Sequence, residues 1–225
     1  NAGLISFIFA PTIQIQDMFQ QLVDPEKVIL LPHGFDWNET QKYLHEDIEV
    51  ENDAVDLFCT GETRKNYLPQ VHAAKISNSH LYINSKNPRY LYFCDLMGLR
   101  YSNTGWMLTE GYYKTIQRMK LGTQVTYAES FDYVVAEHFA MKKPCLISTV
   151  MGRWVNKKLW KHLLIQNPDD PLEMSDAIMA IRNMNENKYK SLGRECYEFM
   201  KEEREKRNVL AKHIFEETIE KFNKK

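Results

Sequence analysis

The sequence predicts a doubly wound α/β fold, a parallel sheet with helices on both faces. Short apolar runs alternate with longer segments of helical period, and the connections between them are short, as βα units require. Apolar residues make up 44% of the 225-residue chain, enough for a sizeable core. The predicted strands are residues 28–32, 54–59, 80–84, 105–108, 123–127 and 145–148, with a shorter one at 163–165. The predicted helices between them are residues 66–77, 88–99, 110–119, 133–141 and 171–183.

Ahead of the first strand, Ile13, Ile15, Phe19 and Leu22 predict a helix over 12–22. Residues 36–53 are polar, acidic and aperiodic, and read as a loop or linker. From about Lys188 onward the chain is long-helix material. Leu192, Cys196, Phe199, Val209, Leu210, Ile214 and Phe222 recur at roughly helical spacing. Glu202 with Lys206 and Glu203 with Arg207 are i,i+4 pairs of opposite sign. No internal repeat or low-complexity tract is visible.

Lys+Arg (29) and Asp+Glu (30) balance, so a nucleic-acid partner, which calls for a basic face, is not expected. No apolar run approaches the ~20 residues that span a bilayer. The opening NAGLISFIFA is short and lacks a basic flank, so it is not read as a signal peptide. The chain begins with Asn, which reads as a piece of a longer polypeptide. Cys59, Cys94, Cys145 and Cys196 lie far apart among apolar neighbours, as buried thiols do. That usage suits a reducing, cytoplasmic setting, with membrane association through other segments left open. None of the seven histidines pairs with another at i,i+4, and there is no HExxH, so no metal site is expected. The absence of GxGxxG and of GxxxxGK[ST] argues against nicotinamide, flavin and NTPase chemistry.

The segment YAESFDYVVAEHFAMKKPCLIS (127–148) carries the most information. It reads as a strand, a tight turn at 129–132, a helix, and Pro144 opening the next strand. Glu129 and Glu137 stand eight positions apart. That is just over two turns at about 3.6 residues each, so both carboxylates share one side of the unit. A helix start offers backbone N–H groups and a positive dipole end to phosphate. A carboxylate farther along can accept from both hydroxyls of a ribose. Together these describe a nucleoside-diphosphate pocket at the carboxyl edge of a sheet. An ordinary unit with two solvated glutamates fits the spacing equally well. A second cluster, GETRKN (61–66), puts Arg64 and Lys65 at a strand-to-helix turn, with Asn66 available as a cap. An Arg fork and a Lys point charge suit a diphosphate. Two solvated loop cations are the plainer alternative.

ESFDYVVAE (129–137) followed by AMKKP (140–144) resembles the E-x7-E signature of retaining GT-B glycosyltransferases. The usual form there is E-(S/G)-F-G-x-x-x-x-E-A-x-A-x-G-x-P. KVILLPHGFD (27–36) resembles the segment I-x-x-I-P-N-G-V-D that enters the C-terminal domain of that family. LLIQNPDDPL (163–172), with the helix after it, resembles G-x-L-V-x-P-x-D-P-E-x-L-A, which closes the donor site. The matches occur in order and cover roughly residues 10–220. The chain departs from the pattern at Asp132, where Gly is usual, at His138 for Ala, and at Lys143 for the Gly before Pro144. Residues 151–154 only loosely echo the family's glycine-rich turn.

The resemblance implies the C-terminal half of a GT-B fold with a long C-terminal helix. Residues 1–30 would be a remnant of the N-terminal domain or a lead-in helix, and 31–225 the Rossmann-like nucleotide-sugar-binding domain. It implies transfer of a sugar from a nucleoside-diphosphate sugar to an acceptor hydroxyl with retention, without metal, the donor being a substrate rather than a cofactor. Glu129 would sit near the transferred sugar, Arg64 and Lys65 on the diphosphate, and Glu137 on the ribose hydroxyls. The amides of Phe131, Asp132 and Tyr133 would face the phosphates. Base recognition falls on 105–109, ending at Thr109, where Trp106 and Leu108 read equally well as core. His138 could reach the donor, although a surface or supporting role is the preferred reading. The implied partners are the donor, a glycan, lipid or protein acceptor, and an N-terminal GT-B domain. This chain alone is therefore expected to bind donor yet transfer poorly. A non-catalytic nucleotide-sugar-binding module and an epimerase-type enzyme are the other two readings.

Overall fold

The structure, a computed structural model, describes residues 7–11, 13–31, 33–58, 63–129, 131–149 and 157–223. The chain divides into two units, Asn1–Phe35 with Lys201–Lys225, and Asp36–Met200.

In the first unit, β1 (Ile8–Ala10), α1 (Ile13–Gln20) and β2 (Val28–Leu30) form a βαβ element. The two strands are parallel, Ile8 opposite Val28 and Ala10 opposite Leu30. Asp24 accepts from the Glu26 amide at 3.1 Å and starts the 3-10 turn Pro25–Lys27 that leads into β2. Proline suits that first position because its missing N–H would have no partner there. The Phe9 ring tilts on Phe215 with centroids 5.7 Å apart.

The second unit runs α2 (Trp37–Gln41), β3 (Glu51–Leu57), α3 (Tyr67–Ile76), β4 (His80–Ile83), α4 (Pro88–Leu96), β5 (Tyr101–Asn103) and α5 (Thr109–Arg118). It continues through β6 (Met119–Gln124), α6 (Tyr133–Ala140), β7 (Cys145–Ser148), α7 (Lys157–Leu163), β8 (Leu164–Ile165) and α8 (Pro171–Arg182). The 38-residue α9 (Glu186–Asn223) follows and contributes residues to both units. The six strands are ordered β5-β4-β3-β6-β7-β8, and every pairing is parallel. After β3 the chain winds outward through β4 and β5, then returns to lay β6 on the other side of β3. The carboxyl ends of β3 and β6 therefore flank the topological switch point, where open α/β sheets form their ligand crevice.

Interior parallel strands are covered on both faces, which is why β6 and β7 are buried at every position. Ala54, Phe58, Tyr82, Tyr113, Ile116, Met119 and Met141 form a core cluster joining β3, β4, α5, β6 and the end of α6. Burying a side chain of this size contributes roughly 1.5–3 kcal/mol. Helix starts are capped as their sequences suggest. Asn87 accepts from Arg89 at 3.0 Å and Asp170 from Leu172 at 2.8 Å, each followed by a proline. α6 ends in a Schellman turn, with Lys142 N donating to Phe139 O at 3.0 Å and Lys143 N to His138 O at 2.8 Å. Lys142 adopts φ 57 there, a left-handed position where glycine is usual. Among the described residues no helix is long and apolar enough to cross a membrane.

Three expectations need correction. Residues 105–108 are not a strand. Gly105 turns the chain at φ +60, and the sixth ladder strand is instead Tyr101–Asn103 beside β4. The strand expected at 123–127 spans Met119–Gln124, because Lys120 and Gly122, poor strand formers by pattern, are buried members of it. The linker expected at 36–53 contains α2, capped by Asp36 at 3.0 Å from Glu39 N, and the start of β3. Cys59, Gly61, Glu62 and residues 151–154 lie outside the described residues.

Candidate functional site

Loops following β3, β6 and β8 meet at the carboxyl edge of the sheet. The first two are fastened by Gln70 of α3, a side chain only 2% exposed. Its amide nitrogen donates to the carbonyls of Lys65 at 2.7 Å and Asn66 at 3.0 Å. Its oxygen accepts from Val125 N at 2.9 Å. Tyr127 N donates to Arg64 O at 2.8 Å, and Arg64 Nη1 donates to Ala128 O at 3.0 Å. Asn66 is left-handed, which asparagine tolerates. Its side chain does not cap α3, as expected from sequence, but donates to Pro168 O in the loop after β8. The Tyr127 hydroxyl donates to Asp169 of the same loop, and that hydrogen bond raises its pKa to about 12.

On this frame Glu129 Oε1 lies 2.5 Å from Lys65 Nζ and 2.7 Å from Arg64 Nη1. Lys65 also stands 3.6 Å from Asp132 Oδ2. The Glu129 side chain is 6% exposed, that of Lys65 10%, and that of Arg64 43%, so the guanidinium is the solvent-facing member. One carboxylate thus bridges two cations in a partly desolvated position. Asp132 caps α6, its Oδ1 accepting from Val134 N at 3.0 Å and Val135 N at 3.4 Å. Burial pushes the Asp132 carboxyl pKa up, and the nearby Lys65 charge offsets this only in part. Asp132, at the position where the E-x7-E pattern this segment resembles has Gly, therefore has a local consequence. Two amides of the helix start are taken by a side chain of the protein itself.

Glu137 belongs to a different set of hydrogen bonds, between α6 and α5. Tyr112 donates to its Oε2 at 2.7 Å, and the Tyr113 hydroxyl lies 3.5 Å from its Oε1. The Tyr113 hydroxyl also sits 3.2 Å from that of Thr40. Burial raises the Glu137 pKa, with the Tyr112 hydrogen bond acting against it. Burial and the Glu137 charge push Tyr113 up to about 12. The structure therefore groups Arg64, Lys65, Glu129 and Asp132, and gives Glu137 to the tyrosines of α5. Phe131 is buried, edge-on to the half-exposed Tyr133 ring at 5.0 Å. Thr109 opens α5 after Leu108, which makes no side-chain cap. Trp106 and Leu108 are 77% and 83% exposed, so neither is core.

Sequence reasoning missed one constellation. His138 is fully buried, neither at the surface nor facing an open site, with Nε2 2.7 Å from Asp56 Oδ2 and Nδ1 2.7 Å from Val134 O. A carbonyl only accepts, so Nδ1 carries a hydrogen and Nε2 meets the acid. Burial alone would lower the imidazole pKa, but the Asp56 charge and hydrogen bond outweigh it and raise the value. Burial raises Asp56 as well. Gly122 pairs with Asp56 across the β3–β6 ladder, and a Cβ at Gly122 would fall 2.4 Å from His138 Nε2. The ring needs that bare Cα. A glycine inside a strand and an acid inside an apolar run were the available signals.

The sheet order and switch point define a doubly wound α/β domain ending in a long helix, and the solved structures that superpose on it make it the C-terminal half of a GT-B fold. No family model matches the sequence, and no curated protein matches it. Solved structures do. A Staphylococcus aureus TarM mutant in complex with UDP superposes with TM-score 0.74 at 16% identity over 96% of this chain. Anabaena HepE in complex with UDP-glucose gives 0.72 at 15% over 94%. A UDP-forming trehalose-phosphate synthase from Burkholderia vietnamiensis gives 0.68 at 11% over 96%. The chain spans only 45%, 63% and 60% of those chains respectively. Identities this low establish a shared fold.

Proposed function

We propose that this chain is the donor-binding domain of a glycosyltransferase, holding a nucleoside-diphosphate sugar whose sugar passes to an acceptor hydroxyl with retention. The observation that carries the reading is the meeting of Arg64 and Lys65 with Glu129 at the switch point of the sheet. Structures of the same fold crystallised with UDP or UDP-glucose support a nucleotide sugar as the ligand.

In this reading the donor diphosphate draws the exposed Arg64 away from Glu129 and joins Glu129 on Lys65. The exchange keeps the nearly buried Lys65 compensated in both states, which avoids the large cost of a lone desolvated charge. The guanidinium fork and the ammonium then stabilise charge on the departing diphosphate, the principal catalytic contribution. Glu129, still within reach of Lys65, lies beside the transferred sugar. Glu137 receives the ribose hydroxyls. An ionised carboxylate offers about four acceptor positions, and the tyrosines engage each oxygen only once. Asp132 already holds two N–H groups of α6, so the cations carry more of the phosphate charge than the helix start does. The amides of Phe131, Asp132 and Tyr133 add to them, and Thr109 meets the base edge. A second domain supplies the acceptor.

A thermal-shift panel of nucleosides, their monophosphates, diphosphates and diphosphate sugars tests the reading. A ligand that binds only the folded state raises the melting temperature by mass action. Diphosphates and their sugars are expected to give the large shifts, and Glu137→Ala to reduce them. Equal shifts for nucleoside and diphosphate would reject the diphosphate site, and unchanged shifts in Glu137→Ala would remove the ribose assignment.

A further inference from the structure

A cavity of about 930 Å³ opens at the other edge of the sheet, where the strands begin. Its wall includes Lys120 near the start of β6, Lys143 just ahead of β7, and Tyr189 on the first turns of α9. Lys120 and Lys143 are 8% and 7% exposed, yet among the described residues no carboxylate forms an ion pair with either ammonium. Lys120 Nζ sits 3.9 Å over the Tyr189 ring, which the Tyr189 hydroxyl fixes in place by donating to Lys120 O at 2.6 Å. Lys143 is anchored by its backbone in the Schellman turn of α6.

Other charges around the cavity largely cancel. Lys142 pairs with Glu46 at 3.3 Å and Lys190 with Glu186 at 2.5 Å, while Arg194 and Glu198 stand exposed at the rim. Lys120 also feels Arg182 against it and, more weakly, Glu186 in its favour, so the charge left without an ion-pair partner is that of the two buried lysines. An isolated buried ammonium is costly, and two that repel each other are more so. Burial chiefly, and Lys120 next, lower the Lys143 pKa to about 7. An anion would relieve both desolvation and repulsion. The volume suits a small molecule rather than a bare ion, with Met141, Met184 and Tyr189 offering apolar surface to its body.

We propose that this cavity binds a phosphate-bearing small molecule, its phosphate held between the ammonium groups of Lys120 and Lys143. The site uses none of the residues assigned to the sugar donor and does not depend on that reading. Titration of the chain with inorganic phosphate at constant ionic strength, followed by 31P NMR, tests it. Saturable binding is expected, weakened at least about tenfold in Lys120→Met and in Lys143→Met, because each loses a charge-assisted contact. It should persist in Arg64→Met. Methionine preserves the volume of the stem, which guards the fold. Should either variant fail to fold, acetylation of Lys143 in the wild-type chain, located by mass spectrometry, reads the same contact, and phosphate should protect it. Absence of saturable binding, equal affinity in Lys143→Met, loss in Arg64→Met alone, or acetylation indifferent to phosphate would each overturn the proposal.

Discussion

His138 Nε2 and Asp56 Oδ2 lie 2.7 Å apart with neither side chain exposed, so α6 is tied to the central strand by a buried acid–base pair. Removing one member strands the other. His138→Ala or Asp56→Ala should each cost about 3–5 kcal/mol in urea unfolding. Replacing both together by apolar residues should cost much less than the sum, since no uncompensated charge remains. Additive losses would show that the two groups act independently.

The same pair predicts a pH dependence. The folded-state pKa of His138 is raised above 6.5. Its contribution is therefore complete below about 6.5 and is lost as pH rises through the raised folded value. Asp56, raised from 3.8, has the same sign. Lys143 opposes them. Its pKa falls from 10.5 to about 7, so the folded state sheds that proton first and gains stability between those values. Lys143→Met should remove this opposing limb and expose a fall in melting temperature above pH 6.5. It should also stabilise the chain near neutrality, by about 1–3 kcal/mol, because a buried unpaired charge is gone. A melting temperature rising with pH in that variant would show that the pair does not dominate.

Gly122 gives a sharper test of the packing. An added Cβ would meet the His138 ring at 2.4 Å, and that ring is held at both nitrogens. Gly122→Ala should cost about 1–3 kcal/mol by overpacking. In a His138→Ala background the same change should be nearly neutral. Equal costs in both backgrounds would place the strain elsewhere.

Lys142 occupies the left-handed position of the α6 Schellman turn at φ 57. Its pairing with Glu46 is between exposed groups and contributes little. Lys142→Gly should therefore stabilise by about 0.5–1 kcal/mol, read from the denaturant midpoint. A loss of stability would mean that the stacking of Lys142 on Tyr197, 5.4 Å from the ring centroid, outweighs the backbone strain.

The alternation of apolar runs and helical periods made the doubly wound sheet legible, and most helices lie within a few residues of their expected bounds. β6 was displaced because burial on both faces admits Lys120 and Gly122, which no apolar pattern detects. Residues 105–108 misled for the opposite reason. Trp106 and Leu108 are apolar but exposed in a loop that Gly105 turns. Arg64, Lys65 and Glu129 could be named from sequence because motif and order put them after β3 and β6. That Glu129 bridges both cations, and that Gln70 fastens their loops, depends on side chains reaching across the switch point. His138 with Asp56, and Lys120 with Lys143, are long-range pairs of the same kind, set by burial rather than spacing.

Isothermal titration of UDP into the wild-type chain and into Lys65→Met tests the proposed donor site most directly. Loss of a charge-assisted contact at this partly desolvated position should cost about 2–3 kcal/mol, a weakening of roughly 30- to 150-fold. Wild-type binding weakened by that much in Lys65→Met is the predicted result. The same UDP affinity in both proteins, or no binding to either, would contradict it.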